Sequence, residues 1–229
     1  MMPVLEVAGL GFRYDTRAVL DGITLQIGPG ESVGLAGANG SGKSTLLWCI
    51  AGLLHGSGEV RLFGAPPSPT SRRRAGMVFQ NPEDQLFMPT VEQDLTLPLI
   101  NMGGPVEDAR REAQEWLERF GLAGYAASPA THLSLGQRKR AAVALAMVRR
   151  PEFLILDEPT AELDGRAIRL LSRTLNELAV AKLIASHHLD FLRRTTMRMI
   201  VLQDGRILAQ GPTTSLLDDA GLLEEAGLI

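Results

Sequence analysis

Gly37-Ala38-Asn39-Gly40-Ser41-Gly42-Lys43-Ser44-Thr45 fits the pattern G-x-x-x-x-G-K-[ST]. Glycines at this spacing let the backbone curl so that successive N–H groups point inward at phosphate oxygens. A helix starting at the end of the loop adds its positive end to the same anion. Lys43 supplies a point charge for β- and γ-phosphates, and Ser44 supplies a hydroxyl for Mg²⁺. Gly37, Asn39, Gly40, Ser41, Gly42 and Thr45 complete the candidate nucleotide-binding set.

A second group of chemistry-bearing residues lies far along the chain. Phe153-Leu154-Ile155-Leu156 is an apolar run that ends in Asp157-Glu158-Pro159-Thr160. An acid at the C-terminal end of a parallel strand faces the crevice where ligands bind. Asp157 is the candidate Mg²⁺-side carboxylate, acting through water. Glu158, one residue further into the site, is the candidate to orient and polarise an attacking water. Between these groups, Leu133-Ser134-Leu135-Gly136-Gln137 precedes a helical pattern. Ser134 is a good N-cap type, and that helix end is a candidate second anion site.

These residues work only if specific elements hold them. The glycine loop needs a strand before it and a helix after it. Ser32–Ala36 reads as that strand, and Lys43–Leu54 as a helix ending near Gly56. The first sixty residues otherwise read as short β segments at Val4–Val7, Phe12–Tyr14, Ile23–Ile27 and Val60–Phe63, with a Pro/Ser loop at Ala65–Ser71. Ala75–Gln80 reads as a strand. Residues 81–150 turn helical, with Val106–Phe120 amphipathic and Gln137–Arg150 Ala-rich. Lys182–Ser186 and Met199–Leu202 read as further strands beside Phe153–Leu156. The pattern predicts an α/β domain interrupted by a helical lobe.

Composition narrows the function classes. The chain has 229 residues, 45% hydrophobic and 21% charged, with a net charge of −3. These are globular values, and the charge gives no global attraction to nucleic acid or an anionic membrane. One cysteine, Cys49, excludes an intrachain disulfide and fits a reducing compartment. No apolar run approaches the roughly 20 residues of a spanning helix, and the N-terminus lacks the pattern of a secretory signal. The expectation is a cytoplasmic protein that serves a membrane, if at all, through partners. The basic runs Arg72-Arg73-Arg74 and Arg138-Lys139-Arg140 read as solvated faces rather than as a nucleic-acid surface. Cys49 reads as core packing. His55 and His132 lack ligand spacing to each other or to acids, so no stored transition metal is expected.

Taken together, these motifs resemble the ATPase subunit of ATP-binding-cassette (ABC) transporters. Leu133–Gln137 matches that family's signature pentapeptide, and the glycine loop and acidic strand match its two Walker motifs. Tyr14 resembles the aromatic that stacks on adenine, and Gln80 the glutamine linking the Mg²⁺ site to the helical lobe. Ala161-Glu162-Leu163-Asp164 resembles the D-loop, and Ser186-His187 the switch histidine. The resemblance implies a P-loop NTPase fold with a RecA-like core, an antiparallel β subdomain and an inserted helical subdomain. The core and β subdomain would take residues 1–80 and 151–229, and the signature lobe residues 81–150. It also implies ATP and Mg²⁺, and a homodimer or paired ATPase with two composite sites. Each ATP would lie between one cradle and the partner's Ser134, Gly136 and Gln137, with His187 reaching the γ-phosphate from its own subunit.

The chain departs from the family pattern at Leu135, where glycine is usual, at Ser186, which replaces threonine, and at His188, where an acid is usual. His188 is read as a solvated neighbour of the switch. Val78-Phe79-Gln80-Asn81-Pro82-Glu83-Asp84-Gln85-Leu86-Phe87 is similar to the energy-coupling factor (ECF) ATPases, especially the cobalt and nickel importers. Pro89–Asp94 and the compact C-terminus continue that likeness. It implies an integral membrane coupling subunit, a separate substrate-capture subunit, and a peripheral position on the cytoplasmic membrane face. Glu83 and Asp84 are candidates to receive arginines from the coupling subunit, over an apolar floor of Leu86, Phe87 and Met88. The alternatives are the same engine serving biotin or another vitamin, an ordinary ABC importer, a soluble ABC ATPase acting on DNA or ribosomes, or a module that binds ATP without cleaving it.

Overall fold

Ser32–Ala36, Phe153–Asp157 and Ala181–Ala185 are buried at every position. Strands covered on both faces belong in the middle of a parallel sheet, and these three lie there side by side. In a computed structural model, which describes residues 2–229, the strands are β1 (Leu5–Tyr14), β2 (Arg17–Ile27), β3 (Ser32–Ala36), β4 (Ser57–Leu62), β5 (Ala75–Val78), β6 (Phe153–Asp157), β7 (Ala181–Ala185), β8 (Arg198–Gln203) and β9 (Arg206–Pro212). The helices are α1 (Lys43–Ile50), α2 (Pro69–Arg73), α3 (Val91–Asn101), α4 (Val106–Arg119), α5 (Leu135–Met147), α6 (Gly165–Asn176), α7 (Leu189–Thr195), α8 (Thr213–Leu217) and α9 (Ala220–Glu225).

Six strands pair in the order β5-β6-β7-β3-β8-β9, all parallel except the edge strand β9. A smaller antiparallel sheet has the order β2-β1-β4. Alternate residues of the large sheet face opposite ways. Leu154, Leu156, Ile184 and Val201 pack on one side with residues of α5, α6 and α7. Phe153, Ile155, Leu183 and Leu35 pack on the other with α1 and the small sheet. Each such fully buried side chain contributes about 1.5–3 kcal/mol relative to exposure. Among the described residues, no helix is long and apolar enough to cross a membrane.

The α/β expectation holds, with local corrections. Leu5–Val7 and Phe12–Tyr14 belong to one strand, β1, which begins one residue after Val4 and whose register shifts near the left-handed Gly9 gave the look of a break. The cradle helix stops at Ile50, because Gly52 turns the chain with φ of 69°. The end of the Pro/Ser loop is helical: Ser68 caps α2 with a reciprocal Ser71 bond. The basic runs are not wholly solvated. Lys139 is 2% exposed, Arg138 pairs with Glu83, and Arg140 donates to the Phe120 carbonyl.

Candidate active site

Strands β3, β7, β6 and β5 are neighbours and parallel, so their C-terminal ends share one sheet edge. This topology brings four distant segments together: the glycine loop after β3, Ser186-His187 after β7, Asp157-Glu158 at the end of β6, and Gln80 after β5. The loop closes tightly. Gly42 has φ of 105°, and a Cβ there would come within 2.9 Å of Leu20 and 3.0 Å of the Val19 carbonyl. Gly42 is also the N-cap of α1, with no side-chain capping bond and no acid in the first turn. The first N–H groups of this helix therefore have no side chain competing with a ligand.

Lys43 folds over its own loop, its Nζ donating to the carbonyls of Gly37 at 2.8 Å and Ala38 at 3.1 Å. Burial lowers its pKa, while Glu158 and Asp157 pull the other way. Ser44 Oγ donates to Asp157 Oδ1 at 3.1 Å. Asp157 is 3% exposed, and burial raises its pKa despite the Ser44 bond. A hydroxyl and a carboxylate meeting here, with the Gln80 amide in the same cleft, form an all-oxygen donor set that fits a hard cation such as Mg²⁺.

Glu158 is bound from several directions. Its Oε1 lies 3.9 Å from Lys43 Nζ, its Oε2 lies 2.9 Å from His187 Nδ1, and the His187 N–H donates to Oε2 at 3.3 Å. Its backbone is left-handed, with φ of 44°. For a residue with a Cβ this costs about 1–2 kcal/mol. Its N–H donates to the Ala185 carbonyl at 2.9 Å, which fixes the turn against β7. The Glu158 side chain is 8% exposed and that of His187 58%, so the acid lies inside and the imidazole at the mouth.

These groups border a cleft of about 630 Å³. Tyr14, Asn39, Gly40, Gly42, Lys43, Ser44, Thr45, Gln80, Glu158 and His187 all line it. Gly37, Ser41 and Asp157 lie behind this wall rather than in it. A Cβ on Gly37 would fall 2.4 Å from the Leu202 carbonyl and 2.6 Å from Ser41 Oγ, so the loop base tolerates only glycine. Tyr14 is 45% exposed and packs edge-on against Phe12, with ring centres 4.8 Å apart.

Ser134, Gly136, Gln137 and Asp164 do not line this cleft. Ser134 caps α5, accepting from the Gln137 N–H at 3.4 Å, while Gln137 Oε1 accepts from the Ser134 N–H at 2.7 Å. Asp164 caps α6 through the Ala167 N–H at 2.7 Å. Glu83 is held by Arg138 of its own chain, and Asp84 borders a separate groove of about 440 Å³. His188 is half-buried rather than solvated, and its N–H donates to Ser186 Oγ at 3.1 Å.

Motif reading missed several residues. Arg17, Val19 and Asp204 also line the cleft, brought there by β2 and the β8–β9 turn, and no spacing pattern marks them. Gln85 staples the segment after β5, accepting from the Phe79 N–H at 2.9 Å and donating to the Met77 carbonyl at 2.8 Å. Lys139 donates to the carbonyls of Gln80 at 2.6 Å and Glu158 at 3.2 Å. Its position inside a basic run concealed its burial.

Known proteins are similar to this chain in sequence and fold. A family model described as ABC transporter matches residues 20–161. A Gloeobacter violaceus protein that bears the name of an ABC transporter ATP-binding protein is 45% identical over 236 residues, covering 100% of this chain and 97% of its own. The energy-coupling factor transporter ATP-binding protein EcfA of Methanocaldococcus jannaschii is 37% identical over 238 residues, covering 99% and 85%. The structure of CbiO1 from Clostridium perfringens, part of the ABC transporter complex cbiONQ, superposes with a TM-score of 0.85 at 33% identity, covering 100% and 96%. The family match runs from β2 through the acidic end of β6, and on it this chain belongs to the ABC transporter family as an ATP-binding, ATP-hydrolysing subunit.

Proposed function

We propose that this ATPase works as a pair to power an importer of the energy-coupling-factor type, with cobalt or nickel as the solute. The observation that carries the hydrolytic part is the cluster of Glu158, Lys43 and His187 at the cleft. Lys43 exchanges the Gly37 and Ala38 carbonyls for the β- and γ-phosphates, and the loop N–H groups cradle the same oxygens. Tyr14 stacks on the adenine. Ser44 and Asp157 would hold Mg²⁺, with Gln80 beside them; when bound, the ion neutralises phosphate charge. Glu158 orients the attacking water and accepts its proton. His187, at the mouth beside Glu158, donates to the γ-phosphate.

The second half of each site comes from the partner copy. Ser134, Gly136 and Gln137 lie outside the cleft of their own chain, which supports a role across an interface. The capping box uses Ser134 Oγ as an acceptor, so its O–H proton stays available to a phosphate. Asp164 belongs to the same interface. ATP binds the closed pair better than the open one, and that difference drives closure.

Closure reaches the membrane through the groove bordered by Phe79, Asp84, Phe87, Pro98 and Met102. Phe87 is 70% exposed, an apolar contact for a membrane coupling subunit. Asp84 faces that partner directly, and Glu83 joins by releasing Arg138. A substrate-capture subunit completes the complex, and this chain stays peripheral on the cytoplasmic face. The likeness of Val78–Phe87 to cobalt and nickel importers supports the choice of solute, as does the similarity to a member of a cbiONQ complex. The test is uptake of labelled cobalt, nickel and biotin by cells carrying the whole transporter with wild-type or Glu158→Gln chain. Metal accumulation that disappears in the variant supports the reading. Unchanged metal uptake with lost biotin uptake moves the solute to the vitamin class.

A further inference from the structure

Lys139 is a buried ammonium that the hydrolytic scheme does not use. It lies five positions after Ser134 on α5, the helix that carries the signature residues. The residue is 2% exposed, and among the described residues no carboxylate oxygen lies within ion-pair distance of its Nζ, although Glu162, Glu158 and Asp157 are near enough to favour its charge. Its acceptors are two main-chain carbonyls, those of Gln80 and Glu158, at 2.6 and 3.2 Å.

Burying an ammonium without a paired carboxylate is costly, and a long apolar side chain would fill the same space. What methionine or leucine cannot do is donate two hydrogen bonds to acceptors on separate segments. The two acceptors are the residues that follow β5 and β6, and both border the cleft. Glu158 needs an anchor because its backbone is left-handed, with φ of 44°. Its carbonyl accepts from Lys139 and also from the Ala161 N–H at 3.1 Å. Gln80, itself exposed, has its carbonyl tied to the same ammonium.

We propose that Lys139 is a positioning residue for hydrolysis: it ties the signature helix to the main chain of Gln80 and Glu158 and so sets the aim of both side chains. Lys139 does not line the cleft, and it acts through those two carbonyls. The proposal rests on the roles given above to Gln80 and Glu158.

The test compares full-length Lys139→Met, Lys139→Gln and Lys139→Arg with wild type, measuring ATP Kd, kcat, KM and Tm. In Lys139→Met, kcat is expected to fall on the order of 10²-fold, the loss seen for misplacement of a reacting group by about 1 Å. ATP Kd is expected to change by less than about threefold, because the cradle and Tyr14 are untouched. Lys139→Arg, which keeps a charged donor, is expected to recover much of kcat. Unchanged kcat in folded Lys139→Met overturns the proposal. So does a parallel loss of kcat, ATP affinity and Tm with no recovery in Lys139→Arg, which marks a packing role. If the methionine variant does not fold, Lys139→Gln, whose amide nitrogen lies one bond short of the lysine Nζ and carries no charge, is judged by the same criteria. A Glu158→Gln control that hydrolyses normally shows that the role given to Glu158, not the anchor, has failed.

Discussion

Two helices of this chain begin where an anion would be favoured, and they are finished differently. α1 starts at Gly42 with no side-chain cap, and its surroundings come from its own chain: Glu158 lies against Lys43 and His187, and Asp157 accepts from Ser44. α5 starts at Ser134 with a complete capping box, and its first turn lies outside the cleft. The first end is left open for a ligand that this chain positions. The second is closed by its own side chains, which satisfy the Ser134 and Gln137 N–H groups, and it does not border the cleft of its own chain. One helix end is the bottom of a pocket, and the other, in the pair proposed above, is the lid of the partner's pocket.

That contrast breaks first at Glu158. In Glu158→Gln the cradle is intact and the water loses its base, so turnover is expected to fall by about 10²–10⁴-fold with ATP binding retained. Phosphate release beside an ATP titration checks this, and near-normal turnover would remove Glu158 from the role. Lys43→Ala attacks the pocket itself. Loss of charged hydrogen bonds to phosphate is expected to weaken ATP affinity by about 10–100-fold, and an unchanged Kd would contradict the cradle assignment.

The double variant Glu83→Lys with Asp84→Lys is expected to reduce co-purification with the membrane subunit and to spare ATP binding. Unchanged assembly would count against docking at that groove. Ser134→Ala acts at the lid. It is expected to cost about 1 kcal/mol of stability through the lost cap, read as a Tm lower by about 2–4 °C. ATP affinity of the single chain should not change. Cys49 marks the packed back of α1, where burial pushes its thiol up to about 11. At pH 8 its thiolate fraction is about 10⁻³, so alkylation of the folded protein is expected to run far slower than after denaturation. Equal rates would place Cys49 at an accessible site.

The pocket was legible from the sequence because short local patterns encode it. Gly37–Thr45 and Phe153–Glu158 each carry their element and their chemistry within ten residues. The lid was legible only as a resemblance: Ser134 and Gln137 read as a helix start, and nothing local says which chain's nucleotide they meet. Strand β9 was missed because Arg206–Pro212 is a partly exposed edge whose apolar run, Ile207–Ala209, is only three residues long. Helix α6 went unread beside the D-loop, although Ile168, Leu171 and Leu175 repeat at helical spacing. Lys139 was misread because charge runs are ordinarily solvated, and only the fold shows that Arg138 and Arg140 flank an inward-pointing lysine.

The central claim is that the cleft of one copy is completed by α5 of another, and complementation tests it directly. Lys43→Ala disables a cradle. Ser134→Asp keeps a good N-cap but sets a negative charge against the γ-phosphate. Each variant alone is expected to be inactive. In a pair containing one of each, both lesions fall on the same composite site and the other site is intact. Random pairing of the two variants in equal amounts is therefore expected to restore about a quarter of wild-type ATP hydrolysis. A mixture as inactive as its components would contradict the account, because it would mean that cradle and signature serve the same chain.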